Sequence, residues 1–130
     1  MTSNFDAVHD VLGIYLDGLY HSDTERLGRA FHPDARYVCA TGGELINLGM
    51  DEYFPIVDAR PAPASCREER QDEIVSIEFA GPKTAFARLY CAIGEKYFTD
   101  LLTLVFDDNQ WRIIAKVFHF DVIPKHPANC

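Results

Sequence analysis

Beyond Cys66 the chain is reduced to few possible arrangements. It reads there as four runs of strand composition, REERQDEIVSIEF, TAFARLYCAI, KYFTDLLTLVF and WRIIAKVFHFDVI, divided by turn signals at Gly81-Pro82, Gly94-Glu95 and Asp107-Asp108-Asn109. Connections this short join antiparallel neighbours, because a parallel return needs a crossover of about a dozen residues or more. An antiparallel meander follows.

The first half has a different periodicity. Phe5, Val8, Leu12, Tyr15, Leu16 and Leu19 recur at helical spacing between Asp6, Asp10 and Asp17, which predicts an amphipathic first helix. Ser22-Asp23-Thr24-Glu25 matches a capping box ahead of Leu27, Ala30 and Phe31, so a short second helix should start there and stop near His32-Pro33. ARYVCA reads as a strand, Thr41-Gly42-Gly43 as a turn and ELINLG as the return strand. Residues 51 to 59, DEYFPIVDA, suggest a third helix, and the proline-rich stretch from Arg60 to Ser65 a stiff connector. Helices first and a sheet last make an α+β protein, and with no repeat or shift of composition the 130 residues are expected to form one domain.

Charge narrows the partners. A formal net charge of -8 repels phosphate backbones and anionic membrane surfaces, so neither nucleic acid nor a membrane is expected. MTSNFDAVHD lacks a basic region followed by an apolar run, and no stretch approaches the length of a membrane span, so the expected location is cytoplasmic. Cys39, Cys66, Cys91 and Cys130 form no C-x-x-C pair and are expected to be reduced. The five histidines show no H-x-x-x-H or H-E-x-x-H spacing. No metal and no cofactor are expected.

One residue stands out in the meander. In FTDLLTLVF, alternation puts Asp100 in a row with Phe98, Leu102, Leu104 and Phe106. An ionised carboxylate in an apolar row needs a partner, a proton or a cavity. Asp100 is either a member of a buried ion pair, with Arg88 or Lys116 as candidate partners, or part of a site.

The order helix, helix, short hairpin, helix, meander, together with FHPDARY after the second helix and FTDLLTLVFDDNQWRIIAKVF across the last two strands, resembles the nuclear transport factor 2-like superfamily of cystatin-like fold. Within it the motifs are similar to the lumazine-binding and SnoaL-like branch. The resemblance implies a cone in which N-terminal helices pack on a curved, mostly antiparallel sheet, with a ligand pocket between them and a second subunit against the outer face. A homodimer also agrees with the last strand, which is apolar on both sides. The implied ligand is a small hydrophobic or aromatic molecule, flat and pteridine-like if the branch is a guide.

Ketosteroid isomerase, the superfamily enzyme with the clearest signature, offers a test. Its helix tyrosine corresponds to Tyr15, its catalytic base falls on Cys39, and its second aspartate falls on Leu102, one pleat from Asp100. Only the tyrosine matches, so isomerase chemistry of that type is not implied. The same alignment turns Ala115, Val117 and His119 toward the pocket and Lys116 and Phe118 away from it. It thereby predicts a ligand site built from Tyr15, Tyr37, Cys39, Leu102 and Val117, with Asp100 and His119 as a candidate acid/base pair. Two functions follow: a binding domain without chemistry, or a cofactor-free isomerase or dehydratase in which Asp100 and His119 move a proton.

Overall fold

The computed structural model describes residues 3–124. Its elements run α1 (Asn4–His21), α2 (Thr24–Ala30), β1 (Phe31–Cys39), β2 (Ile46–Gly49), α3 (Met50–Ala59), β3 (Gln71–Phe79), β4 (Thr84–Ile93), β5 (Lys96–Asp107) and β6 (Gln110–Val122). The strands form one sheet in the order β2-β1-β6-β5-β4-β3. Only the β1–β6 pair is parallel. Three helices therefore pack against a curved, mostly antiparallel sheet, the expected α+β architecture. No described helix is long and apolar enough to cross a membrane.

Local chemistry sets the boundaries. Ser3 caps α1 through the Asp6 amide at 3.1 Å, and Ser22 ends it in the left-handed region at φ 47°. The α2 cap is Asp23, whose carboxylate accepts from the amides of Glu25 and Arg26. Ser22 thus closes one helix instead of opening the next, which corrects the capping-box reading. The second helix also stops at Ala30, before His32-Pro33, because β1 begins at Phe31 and its backbone is already committed to the sheet. Gly18 permits the tight turn between α1 and α2: a Cβ there would lie 2.9 Å from Leu27 Cγ. At the β5–β6 turn, Asp108 and Asn109 take φ of 52° and 62°, values that suit a tight hairpin.

The core lies between the helices and the inner face of the sheet. Val8, Leu12, Leu16 and Leu19 of α1, Leu27 of α2 and Val57 of α3 meet Ala87 and Leu89 of β4, Leu102 and Leu104 of β5, and Trp111 and Ile113 of β6. Cys39 and Cys91 are free and buried, whereas Cys66 is disulfide-bonded, contrary to the expectation of reduced thiols throughout.

One residue in β6 changes the meaning of the strand. Thr103 pairs with Ala115 and Leu104 with Ile113, which leaves Ile114 unpaired as a β-bulge. An extra residue reverses the alternation beyond it. Trp111 and Ile113 point inward, and past the bulge so do Lys116 and Phe118, all four buried. Val117, at 45% exposed, and His119 lie outward. The expectation that Ala115, Val117 and His119 face the pocket therefore fails, and the inward pair is the one assigned to the outer face.

A buried lysine in an aromatic cage on the inner face

Asp100 occupies the middle of the inner face, paired across the sheet with Leu89 on β4 and Phe118 on β6, and is 1% exposed. Tyr15 reaches it from α1. The helical spacing that buries Leu12, Leu16 and Leu19 also turns Tyr15 to the sheet, where its hydroxyl donates to Asp100 Oδ2. Burial, and after it the Asp100 charge, holds the Tyr15 hydroxyl well above its ordinary pKa, so Tyr15 remains a donor. Asp100 Oδ1 is buried without a hydrogen-bond partner among the described residues.

The second charge is Lys116. It pairs with Leu102 while Phe118 pairs with Asp100, so the ammonium and the carboxylate are diagonal neighbours on one face. Lys116 is 4% exposed, and among the described residues its Nζ makes no hydrogen bond or ion pair. It meets ring faces instead. Nζ lies 5.1 Å from the ring centroid of Tyr15, 5.4 Å from Tyr37, 5.6 Å from Tyr53 and 5.0 Å from Phe118. Each such contact favours the cation, the more so away from water. Burial alone would lower the lysine pKa, but Asp100, together with Tyr53, Tyr37 and Cys91, outweighs it and holds the ammonium above its ordinary value.

The rings extend beyond the lysine into a slot. Tyr37 and Tyr53 stack with centroids 4.2 Å apart and planes 23° from parallel, Tyr37 meets Phe118 at 4.8 Å, and Phe118 meets Phe98 at 5.7 Å. Beside them lies a cavity lined by Leu19, Tyr37, Tyr53, Arg60, Cys91, Ile93, Phe98 and Lys116, with about 10 Å³ of internal space. That is room for about one water. Tyr53 Oη and Arg60 Nε are buried there without partners among the described residues. Burial, then Asp100, pushes the Cys91 thiol up to about 12, which keeps it protonated and unreactive. Burial also raises the Tyr37 hydroxyl, against the opposing pull of Lys116.

Of the residues singled out in the sequence, Tyr15, Tyr37, Asp100 and Leu102 come together on the inner side, and Cys39 lies on the Tyr37 face of β1, paired with Phe118. Val117 and His119 do not join them. His119 hydrogen-bonds Thr41 Oγ1 through Nδ1 at 2.8 Å and Asp121 through Nε2 at 3.0 Å, on the opposite face from Asp100. A proton-transfer pair of Asp100 and His119 has no geometry here. Strict alternation missed Lys116, the nearest charge to offset that of Asp100. The available signal was a second charge in an apolar strand, two residues beyond the Ile113-Ile114 doublet that carries the bulge.

Relatives of the chain share this framework. A curated relative, the aldolase FrzH of Cladobotryum sp, is 24% identical over 120 residues, covering 91% of this chain and 92% of its own. An NTF2-like protein of unknown function from Silicibacter pomeroyi superposes with a TM-score of 0.80 at 24% identity, over 93% of this chain and 100% of that one. A ketosteroid isomerase-like protein from Erwinia carotovora atroseptica superposes with a TM-score of 0.71 at 12% identity, over 92% of this chain and 98% of that one. These similarities establish the NTF2-like, cystatin-like fold. The family model described as "Putative lumazine-binding" matches residues 3–119, and the chain belongs to that family.

Proposed function

We propose that the chain is a small-molecule-binding domain whose ligand is flat and aromatic and enters between α3, β1 and the inner face of the sheet. The observation that carries this reading is the Tyr37–Tyr53 stack set against a cavity in which Tyr53 Oη and Arg60 Nε are buried without partners among the described residues. Buried polar groups are nearly always hydrogen-bonded, and an unpaired one costs about 1–3 kcal/mol. A ligand that stacks on the rings and accepts from these donors removes that cost. The family description points to a pteridine, which has both the ring and the acceptors. With room for only about one water in the cavity, the ligand enters as the stacked tyrosines or the partly exposed Arg60 give way.

A second reading, a cofactor-free enzyme that moves a proton, draws on the Tyr15–Asp100 hydrogen bond, on the free Asp100 Oδ1 and on the relationship to an aldolase. Asp100 with Tyr15 takes the role that His119 cannot share. One experiment addresses both. Calorimetric titration with lumazine should give saturable binding that Tyr53→Ala weakens about tenfold or more, the scale of losing a stacked ring. Mass spectrometry of the recovered ligand then separates binding from turnover. Absence of binding by lumazine and by other neutral planar heterocycles, or indifference to Tyr53→Ala and Tyr37→Ala alike, would remove the reading.

We also propose that the outer face of the meander packs on a second copy of the chain. Phe86, at 37% exposed, and Val117, at 45%, line it. Light scattering should return about twice 14.7 kDa. A mass that stays at one chain over a wide concentration range would exclude the dimer.

A further inference from the structure

The cavity has more donors and more positive charge than its protein surroundings satisfy. Among the described residues Lys116 Nζ makes no hydrogen bond, Arg60 Nε and Tyr53 Oη are buried without partners, and Arg60 makes no ion pair. Among the described residues Asp100 is the one buried carboxylate on this face, and it offsets one of the two cations. The other, on the partly exposed Arg60, has no ion-pair partner among the described residues. A buried guanidinium nitrogen without a hydrogen-bond partner is costly even where the rest of the group meets water, and the cost is relieved when an anion accepts from it. The setting sharpens this, because the chain as a whole carries a formal charge of -8 and on balance repels anions.

Resting on the binding reading above, we propose that Lys116, Arg60 and Tyr53 form a carboxylate subsite, so that the ligand is a planar aromatic monoanion whose carboxylate enters the cavity while its ring lies on Tyr37 and Tyr53. The space of about 10 Å³ holds about one water, so the wall must give way for either group, and the compact carboxylate asks for less of that movement than the ring. Arg60 stands at the end of α3, half-exposed, where its guanidinium can meet a carboxylate arriving from solvent. Lys116, fixed among four rings, supplies the charge at the inner end. Tyr53 contributes both a hydroxyl donor and the ring face. A dicarboxylate or a phosphate dianion would leave one negative charge unmatched in the same site.

Benzoate and its neutral isostere benzamide test the assignment, with lumazine as the separate probe of the planar-ligand reading. Benzoate should bind at least tenfold more tightly than benzamide in calorimetric titrations. Lys116→Met should abolish that preference. Because loss of a buried charge can compromise folding, Arg60→Met, at a half-exposed position, is the second variant and should reduce the preference about fivefold. Equal binding of the two probes, or a preference that survives both substitutions, overturns the subsite and leaves the planar-ligand reading standing if lumazine still binds. Failure of both probes while lumazine binds has the same consequence. Failure of all three removes both readings.

Discussion

Asp100→Asn should destabilise the fold by about 3–5 kcal/mol, the usual cost of removing one member of a buried charge pair and leaving the other in place. The substitution keeps the shape and still lets the side-chain oxygen accept from Tyr15. What it removes is the charge that offsets Lys116, whose Nζ has only ring faces around it and is 4% exposed. Cation–π contacts return on the order of 2 kcal/mol when desolvated, which does not match the penalty for a buried ammonium. Lys116→Met should cost less, because Met fills much of the same volume and Asp100 retains the Tyr15 hydroxyl. The double variant should then be more stable than Asp100→Asn alone, with a coupling energy of about 2–3 kcal/mol. Urea unfolding of the four proteins measures the cycle. If Asp100→Asn lies within about 1 kcal/mol of the parent, the two charges are not coupled and the account of the inner face is wrong. The same reasoning means that lost ligand binding in Asp100→Asn identifies no contact. Arg60, at the cavity wall and only partly buried, is the position at which binding and folding separate.

How much of this could be read from residues alone depended on where the backbone stayed regular. Asp100 sits in an unbroken stretch of β5, paired residue for residue with β4, so simple alternation put it on the inner face together with Phe98 and Leu102. Tyr15 followed from helical spacing and from resemblance to a known helix tyrosine. The four long strands were legible because three short turn signals separate them. The inward placement of Lys116 was not legible, because its face is set by one unpaired residue, Ile114, and a bulge in an apolar run leaves the composition unchanged. The error then spread through every later position of β6: Val117 and His119 were assigned to the pocket, and Lys116 and Phe118 to the outside. The disulfide at Cys66 was missed for another reason, since cysteine spacing carries no information about which segments the fold brings together. Arg60 is a third case. As the first residue of the proline-rich connector it reads as linker, and its contribution to the cavity depends on how α3 packs against the sheet, which sequence pattern does not give.

If the bulge determines the site, deleting Ile114 should be far more damaging than truncating it. Ile114 is only partly buried, so Ile114→Ala should cost about 1 kcal/mol and leave the register alone. Deletion forces β6 to choose. Either the part beyond residue 114 keeps its pairing and Trp111 and Ile113 turn outward, or the first part keeps its pairing and Lys116 and Phe118 turn outward while Val117 and His119 turn in. In the first case two large buried side chains are exposed, at about 1.5–3 kcal/mol each. In the second, Phe118 is lost from the core, Asp100 loses the nearby Lys116 charge, and a histidine enters an apolar layer without a partner. Each alternative removes several kcal/mol from a total that is about 5–15 kcal/mol for a domain of ordinary stability. The deletion variant should therefore melt at least about 15 °C below the parent or show no cooperative transition, whereas Ile114→Ala should stay within a few degrees of it. Thermal melts followed by circular dichroism distinguish the two. A deletion variant that melts with the parent would mean that β6 can shed the extra residue without reversing its faces. The inward placement of Lys116 would then need a cause other than the bulge.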